Sequence, residues 1–322
     1  MSKIRVHVFS KIPNLSKEIQ LALPSAIVYD VLPDNTASLK DAEIIVGDFD
    51  LMIPHIYHLP QLKWLQGTWA GVDKIFPYIN KPLPFLCTRY SGRYFGQIMS
   101  EYVITQIVCN ERDFSTIRFN QQQQIWCQDG KISDYRVISD LTIGILGLGT
   151  IGSWIGRCLS MFGAKILGYG RKTHLDPAID FLSSDCYYSK SGLSDILRKS
   201  DYIINVLPAT SETTGLLNGS VLKNCEEKKP IFINIGRGNI IKEDDLVQAI
   251  KNGWISKAIL DVFEVEPLPK DSVLWSMKEV AITPHIAATS QARHVAEQFK
   301  ENVSLYLENK PISTAFNFGS SY

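Results

Sequence analysis

Leu141-Thr142-Ile143-Gly144-Ile145-Leu146-Gly147-Leu148-Gly149-Thr150-Ile151-Gly152 is an apolar run that ends in GxGxxG. The run reads as a buried strand, and the residues from about Ile151 to Phe162 read as a helix. GxGxxG by itself is weak, but a strand before it and a helix after it is the context in which it signals a dinucleotide-binding turn. The first glycine makes the tight turn, the second lets backbone approach a pyrophosphate, and the third lets helix and strand pack closely. The helix N-terminus adds amide donors and the positive end of a dipole. Gly147, Gly149, Thr150, Ile151 and Gly152 are therefore the expected phosphate cradle.

Downstream of this turn, apolar strands are expected at Lys165 to Tyr169, Tyr202 to Val206, Ile231 to Asn234, Ala258 to Leu260 and Val280 to Thr283, with helical segments between them. That alternation specifies a doubly wound parallel sheet. Upstream, Ile4 to Phe9, Glu43 to Val46, Leu62 to Gln66 and Pro84 to Thr88 suggest a second, smaller parallel α/β unit. An amphipathic helix over Gly96 to Arg112 is the candidate crossing between them, and a last helix, about Ser290 to Leu307, could return to the first unit. Between crossing and turn lies a polar, Gln-rich run, Asn120 to Gln124, that ends in Ile125-Trp126.

At 322 residues the chain exceeds the usual size of one hydrophobic core. Lys plus Arg and Asp plus Glu both number 33, so no net field favours a polyanion or an anionic membrane. Neither nucleic acid nor a membrane is expected as a partner. Cysteines 87, 109, 127, 158, 186 and 225 show no CxxC pair and no metal-ligand spacing with His, which fits reduced, structural thiols and no metal. The N-terminus runs into an alternating strand without a leader-like apolar stretch, and no apolar run reaches spanning length, so a cytoplasmic location is expected.

The end of the second strand of a dinucleotide fold decides between cofactors, because an Asp or Glu there bonds the ribose 2′-hydroxyl of NAD. Here the strand ends Tyr169-Gly170-Arg171-Lys172-Thr173, and no Asp or Glu occurs between Gly152 and Leu175. Arg171 can grip a 2′-phosphate through its planar fork and Lys172 adds a point charge, which favours NADP while leaving NAD possible. The alternative is a solvated basic loop.

Three segments each place a polar group just beyond an apolar strand: Ile233-Asn234-Ile235-Gly236-Arg237-Gly238, Leu260-Asp261-Val262-Phe263-Glu264-Val265-Glu266-Pro267 and Ile282-Thr283-Pro284-His285. In an open α/β sheet, ligands sit outside the carboxyl ends of the strands, so these groups should converge on the cofactor face. Reduction of a 2-keto acid needs a cation for the carboxylate and carbonyl oxygens, an acid for the developing alkoxide, and a group that supports that acid. Arg237, His285 and Glu266 fit those tasks as residue types, since Arg engages two oxygens at once and a carboxylate beside an imidazole favours its protonated form. Singly, each could equally be a turn-capping Arg, a surface acid before Pro267, or a satisfied loop His.

With these segments in view, the chain resembles the D-isomer-specific 2-hydroxyacid dehydrogenase family, most closely its glyoxylate/hydroxypyruvate reductase branch. Its marks are Trp69-Ala70-Gly71-Val72-Asp73, Phe95-Gly96 with Met99-Ser100-Glu101-Tyr102, the glycine turn, Asn205-Val206-Leu207-Pro208 with Thr213 or Thr214, and the three segments above, with Glu266-Pro267-Leu268-Pro269, Leu274-Trp275 and Thr283-Pro284-His285 particularly like that branch. The resemblance implies a flavodoxin-like substrate domain built from both chain ends, residues 1–99 and 289–322, with a Rossmann-type NAD(P)-binding domain, residues 100–288, inserted between them and a cleft that closes over substrate. It implies that Arg237, Glu266 and His285 are catalytic and that the amides at Ala70 and Gly71, beside Trp69, bind the substrate carboxylate. Leu207, Pro208, Thr213, Ile235 and His285 would line the cofactor site, and Asp261 would face the nicotinamide carboxamide. Members are commonly dimers, with an interface arm near Trp126. Trp69 and the stretch from Arg89 to Tyr94 depart from the common pattern and bear on substrate choice.

The sequence is compatible with three functions: NADPH-dependent reduction of glyoxylate, hydroxypyruvate or a similar small 2-keto acid, the same chemistry on a bulkier acid such as phenylpyruvate, and dinucleotide sensing without turnover, since fold does not fix function. A sensor needs neither His285 nor Glu266.

Overall fold

A computed structural model describes residues 3–73, 75–172, 175 and 179–316, so Thr173 and the last six residues lie outside the described residues. By contacts the chain forms two compact units, Met1–Phe95 with Thr289–Tyr322, and Gly96–Ala288.

The first unit holds a five-stranded parallel sheet in the order β2-β1-β3-β4-β5, from β1 (Arg5–Phe9), β2 (Ile27–Asp30), β3 (Ile44–Gly47), β4 (Trp64–Gly67) and β5 (Leu86–Thr88). This is the flavodoxin-like order, with its topological switch between β1 and β3. The central strands β3 and β4 are buried at every position, which is why they read as continuous apolar runs. The edge strand β2 is largely exposed and lacks that signature, so the sequence offers no sign of it. Helices α1 (Leu15–Ala22) and the short α2 (Phe49–Met52) connect the first strands.

The second unit begins along α3 (Arg93–Glu111) and α4 (Phe114–Gln122), the latter absorbing the start of the Gln-rich run. Its seven-stranded parallel sheet runs β12-β11-β10-β9-β6-β7-β8. The strands are β6 (Thr142–Leu146), β7 (Lys165–Tyr169), β8 (Tyr187–Tyr188), β9 (Tyr202–Asn205), β10 (Ile231–Asn234), β11 (Lys257–Leu260) and β12 (Val280–Ile282). Helices α5 (Thr150–Met161), α6 (Leu193–Lys199) and α7 (Glu243–Lys251) cross between strands. Order reverses between β6 and β9, so the glycine turn after β6 opens at the switch point, where such sheets bind ligands.

After Ala288 the chain returns to the first unit as α8 (Ala292–Leu307). Val295, Ala296, Phe299 and Val303 of α8 join Leu15 and Ile19 of α1 and Trp64 of β4 in one buried cluster. A buried polar chain pins the return: Trp64 Nε1 donates to Thr88 Oγ1 (2.7 Å), which donates to Gln66 Oε1 (2.8 Å), and Asn302 Nδ2 donates to the same Gln66 oxygen (2.8 Å). None of its buried side-chain polar atoms is orphaned, so it selects one register for α8 instead of costing an unpaired group.

At the end of α3, Glu111 is 3% exposed and accepts from Tyr202 Oη (2.6 Å) and, through both oxygens, from Arg136 (2.8 and 3.1 Å). Burial pushes this carboxyl up, but the hydrogen bonds of Arg136 and Tyr202 with the guanidinium charge outweigh it and hold the group below the usual carboxylate range. The contribution to stability is therefore present at neutral pH and lost as pH falls through the folded-state value. Glu111→Gln is expected to cost about 1–3 kcal/mol in urea unfolding at pH 7, with the gap to wild type closing in acid. A gap independent of pH would show that the charge is not what stabilises.

All six cysteines are free thiols. Among the described residues no helix is long and apolar enough to cross a membrane.

Candidate active site

The glycine turn has the geometry of an anion cradle. Gly147 takes φ 109°, a backbone state that side chains disfavour. A Cβ at Gly152 would run into the carbonyl oxygen of Gly147, so close packing of α5 under β6 demands glycine there. Gly149 differs, because a Cβ would meet nothing within 4 Å. The fold leaves that position open, which fits a ligand approaching the backbone. Gly149 is also the N-cap of α5, with no side-chain cap and no acid in the first turn at Thr150 and Ile151. The helix thus presents its amides to an anion, and the residues present fit a dinucleotide pyrophosphate.

Arg171 and Lys172 follow β7 and are both exposed. Tyr187 Oη donates to the Lys172 carbonyl (3.0 Å), tying that turn to β8. Glu212 lies near enough to Arg171 to feel its charge, but its carboxylate is held by Lys190 at 2.7 Å, and that bond first, then Arg171, keeps it below the usual carboxylate range.

Two buried amides organise the next two strand ends. Asn205 and Asn234 pair in register as the last residues of β9 and β10. Asn205 Nδ2 donates to Asn234 Oδ1 (2.8 Å), Leu207 N–H donates to Asn205 Oδ1 (3.1 Å), and Asn234 Nδ2 donates to the Arg237 carbonyl (3.2 Å). This pair shapes both the Leu207–Pro208 turn and the Arg237 loop, and it is absent from the residues expected at the site. An Asn closing each of two neighbouring apolar strands was the available signal. Leu207 packs towards the glycine turn, where a Cβ on Gly147 would meet its backbone and side chain. The Thr213 hydroxyl donates to the Pro208 carbonyl (2.5 Å), and Ile235 is buried.

Arg237 is partly buried and its Nη1 donates to the Gly236 carbonyl (2.7 Å). The next residue, Gly238, lies so close to the Phe263–Glu264 peptide that any Cβ would run into it. The loop that carries Arg237 and the loop that carries Glu266 are therefore in backbone contact.

In the Glu266 loop, the Phe263 N–H donates to Glu266 Oε1 (3.0 Å), while Glu266 Oε2 meets His285 Nδ1 at 2.7 Å. One carboxylate oxygen is fixed by backbone and the other is aimed at the ring, which leaves Nε2 of His285 for a ligand. The pair is open to solvent, with side-chain exposures of 50% for His285 and 33% for Glu266, as a group that meets a substrate must be. His285 itself has φ 55°, a left-handed state uncommon for a non-glycine residue. Asp261, at 1% exposed, spends its carboxylate on this loop, accepting from Thr283 Oγ1, Ile286 N–H and Ala287 N–H at 2.6, 2.8 and 2.9 Å.

In the first unit, Trp69, Ala70 and Gly71 follow β4 and are partly exposed. The turn before them is anchored by the buried Asp48, which accepts from Ser10 Oγ, Thr68 Oγ1 and the Lys11 N–H, and by Ser290, which donates to the Thr68 carbonyl (2.6 Å). The Arg89 to Tyr94 stretch is held by α8: the Gly92 N–H donates to Gln298 Oε1 and Gln298 Nε2 donates to the Arg89 carbonyl, both at 2.9 Å. Tyr90 is fully buried in the core and Tyr94 stacks on His294. Tyr94 thus packs on α8, and Tyr90 lies in the buried cluster that α8 completes.

A family model for the NAD-binding domain of D-isomer specific 2-hydroxyacid dehydrogenases matches residues 104–287. The chain belongs to that family. It is thus an NAD(P)-dependent 2-hydroxyacid dehydrogenase, an oxidoreductase. A curated relative, glyoxylate/hydroxypyruvate reductase A of Escherichia fergusonii, is 30% identical over 257 residues, which cover 78% of this dehydrogenase and 79% of the relative. Among solved structures, a D-isomer specific 2-hydroxyacid dehydrogenase family protein of Aeromonas salmonicida superposes with a TM-score of 0.84 at 31% identity, over 98% of this chain and all of the other. The NADPH-dependent glyoxylate/hydroxypyruvate reductase of Sinorhizobium meliloti, solved with NADP and sulfate, gives a TM-score of 0.78 at 26% identity, over 99% of this chain and 100% of that one.

Proposed function

We propose that this dehydrogenase is an NADPH-preferring reductase of small 2-keto acids, with glyoxylate and hydroxypyruvate as the substrates to test first. The observation that carries the reading is the 2.7 Å contact of His285 Nδ1 with Glu266, on the same carboxyl edge of the sheet as Arg237 and the glycine turn. Two related proteins named for that activity support the substrate class. The lack of any Asp or Glu between Gly152 and Leu175, with Arg171 and Lys172 in their place, supports NADPH.

Held at the glycine turn, NADPH would supply the hydride in this reading. Arg237 holds the substrate carboxylate and carbonyl oxygens through its fork, aligning the carbonyl and drawing charge to its oxygen. With Nδ1–H given to Glu266, His285 Nε2 carries the proton that the developing alkoxide takes. Glu266 orients the ring and offsets the imidazolium charge. Asp261 supports the His285 loop, and its proposed role towards the carboxamide is secondary to that clamp.

Initial rates on glyoxylate, hydroxypyruvate, pyruvate and phenylpyruvate, each with NADPH and NADH, test the reading. The expected order places the two small polar acids with NADPH first. Fastest turnover of phenylpyruvate, or tight NADPH binding with no turnover of any acid, would overturn it.

Trp126 is 92% exposed, with Ile125, Phe119 and Phe114 also exposed nearby in sequence. We assign this exposed segment to an interface with a second copy of this chain. A monomeric mass by light scattering would remove the assignment.

A further inference from the structure

The loop that carries His285 is held from two sides. Just past β11, Asp261 accepts three hydrogen bonds from residues 283–287, and its carbonyl accepts the His285 N–H (2.9 Å). From α3, Tyr102 Oη lies 2.7 Å from Thr283 Oγ1. Proton counting fixes the direction of this second contact. The single hydroxyl proton of Thr283 is donated to Asp261 Oδ1 across 2.6 Å. Thr283 Oγ1 must then accept from Tyr102. The result is a directed relay from Tyr102 through Thr283 to Asp261.

The relay has a task on its own geometry. His285 at φ 55° stays in a sparsely populated backbone state only if its surroundings over-determine it. The left-handed residue is flanked by groups bound to Asp261, Thr283 two residues before it and Ile286 and Ala287 after it. Thr283, in turn, has its hydroxyl oriented by a tyrosine on a 19-residue helix that spans the start of this unit. Half-burial of Tyr102 pushes its phenol up, so the hydroxyl keeps its proton and remains a donor across the working pH range.

We propose that Tyr102 and Thr283 are positioning residues for His285, holding the imidazole against Glu266 through Asp261. The inference rests on the reading of His285 as the proton donor, and it adds that α3 has a direct hold on the loop that presents that donor. Neither residue touches the reacting atoms. Their loss therefore reduces the fraction of molecules in which the ring is aligned, and acts on kcat more than on binding.

The test uses the full-length chain with NADPH and its best keto acid. Tyr102→Phe is expected to lower kcat about 5- to 10-fold, with KM and the NADPH Kd within about twofold of wild type. Thr283→Val, which removes the middle hydroxyl, is expected to lower kcat about 10- to 100-fold, and Thr283→Ser to restore most of it. Adding Tyr102→Phe to His285→Asn should cause no further loss, because the residue being positioned is already gone. If Thr283→Val does not fold, Tyr102→Phe and the double variant decide. Wild-type kcat in Tyr102→Phe, or a full additional loss in the double variant, overturns the proposal while leaving His285 as the acid. Unimpaired turnover in His285→Asn alone instead overturns the underlying reading.

Discussion

His285→Ala is expected to lower kcat for keto acid reduction about a thousandfold while leaving the NADPH Kd within about twofold. The size follows from the role, since a positioned general acid contributes roughly 10²–10⁴ to rate. The near-constancy of binding follows from position, because the glycine turn and the α5 N-terminus are separate elements that do not depend on the imidazole. Backbone conformation complicates the choice of variant. Ala at φ 55° is strained and can let the loop relax, whereas Asn tolerates the left-handed region. His285→Asn is therefore the cleaner probe, and it should lose a similar factor although it retains a group able to reach Glu266. Stopped-flow reduction and fluorescence titration of NADPH separate the two quantities. Turnover within tenfold of wild type in both variants would remove His285 from the acid role, and a collapse of NADPH binding would mean that the loop had moved.

Arg171→Ala is expected to raise the NADPH Kd about 10- to 100-fold and to leave the NADH Kd within about twofold. A charge-assisted hydrogen bond to phosphate contributes roughly 1.5–3 kcal/mol, and only NADPH carries the 2′-phosphate that could form it. Arg171 is exposed, so the effect belongs at the low end of that range in high salt and should grow as ionic strength falls. Lys172 shares the task as a point charge, so Arg171→Lys should recover part of the loss but not all, the planar fork being gone. Equal weakening of both nucleotides would assign Arg171 to the pyrophosphate or to local structure, and cofactor choice would have to come from elsewhere.

Much of the fold was legible because its signals are local. The runs that became β6, β7, β9, β10 and β11 are buried on both faces, so their apolar character shows in four or five consecutive letters. β2 carries no such mark for the opposite reason, since an edge strand that faces solvent needs no apolar pattern. The polar run at Asn120 to Gln124 gave no sign that helix α4 extends into it, because an exposed helix face carries the same composition as a loop. At the site, the residue types were readable at strand ends, but their wiring was not. The Asn205–Asn234 pair, the backbone contact at Gly238 and the Asp261 clamp all join segments far apart in the chain.

By itself, the sequence determined that β6 is followed by a turn able to cradle phosphate, because one glycine must adopt a positive φ and another must let a helix touch a carbonyl, and both demands appear as missing side chains at given positions. It also determined which charged residues stand beyond which strands. Only the tertiary structure decided that Glu266 divides its two oxygens between the Phe263 amide and His285, and that a buried Asp and a tyrosine on α3 brace the strained loop between them. Hydrogen bonds of that kind are set by distances between elements, and the register of separate strands and helices that fixes those distances is a property of the packed core as a whole.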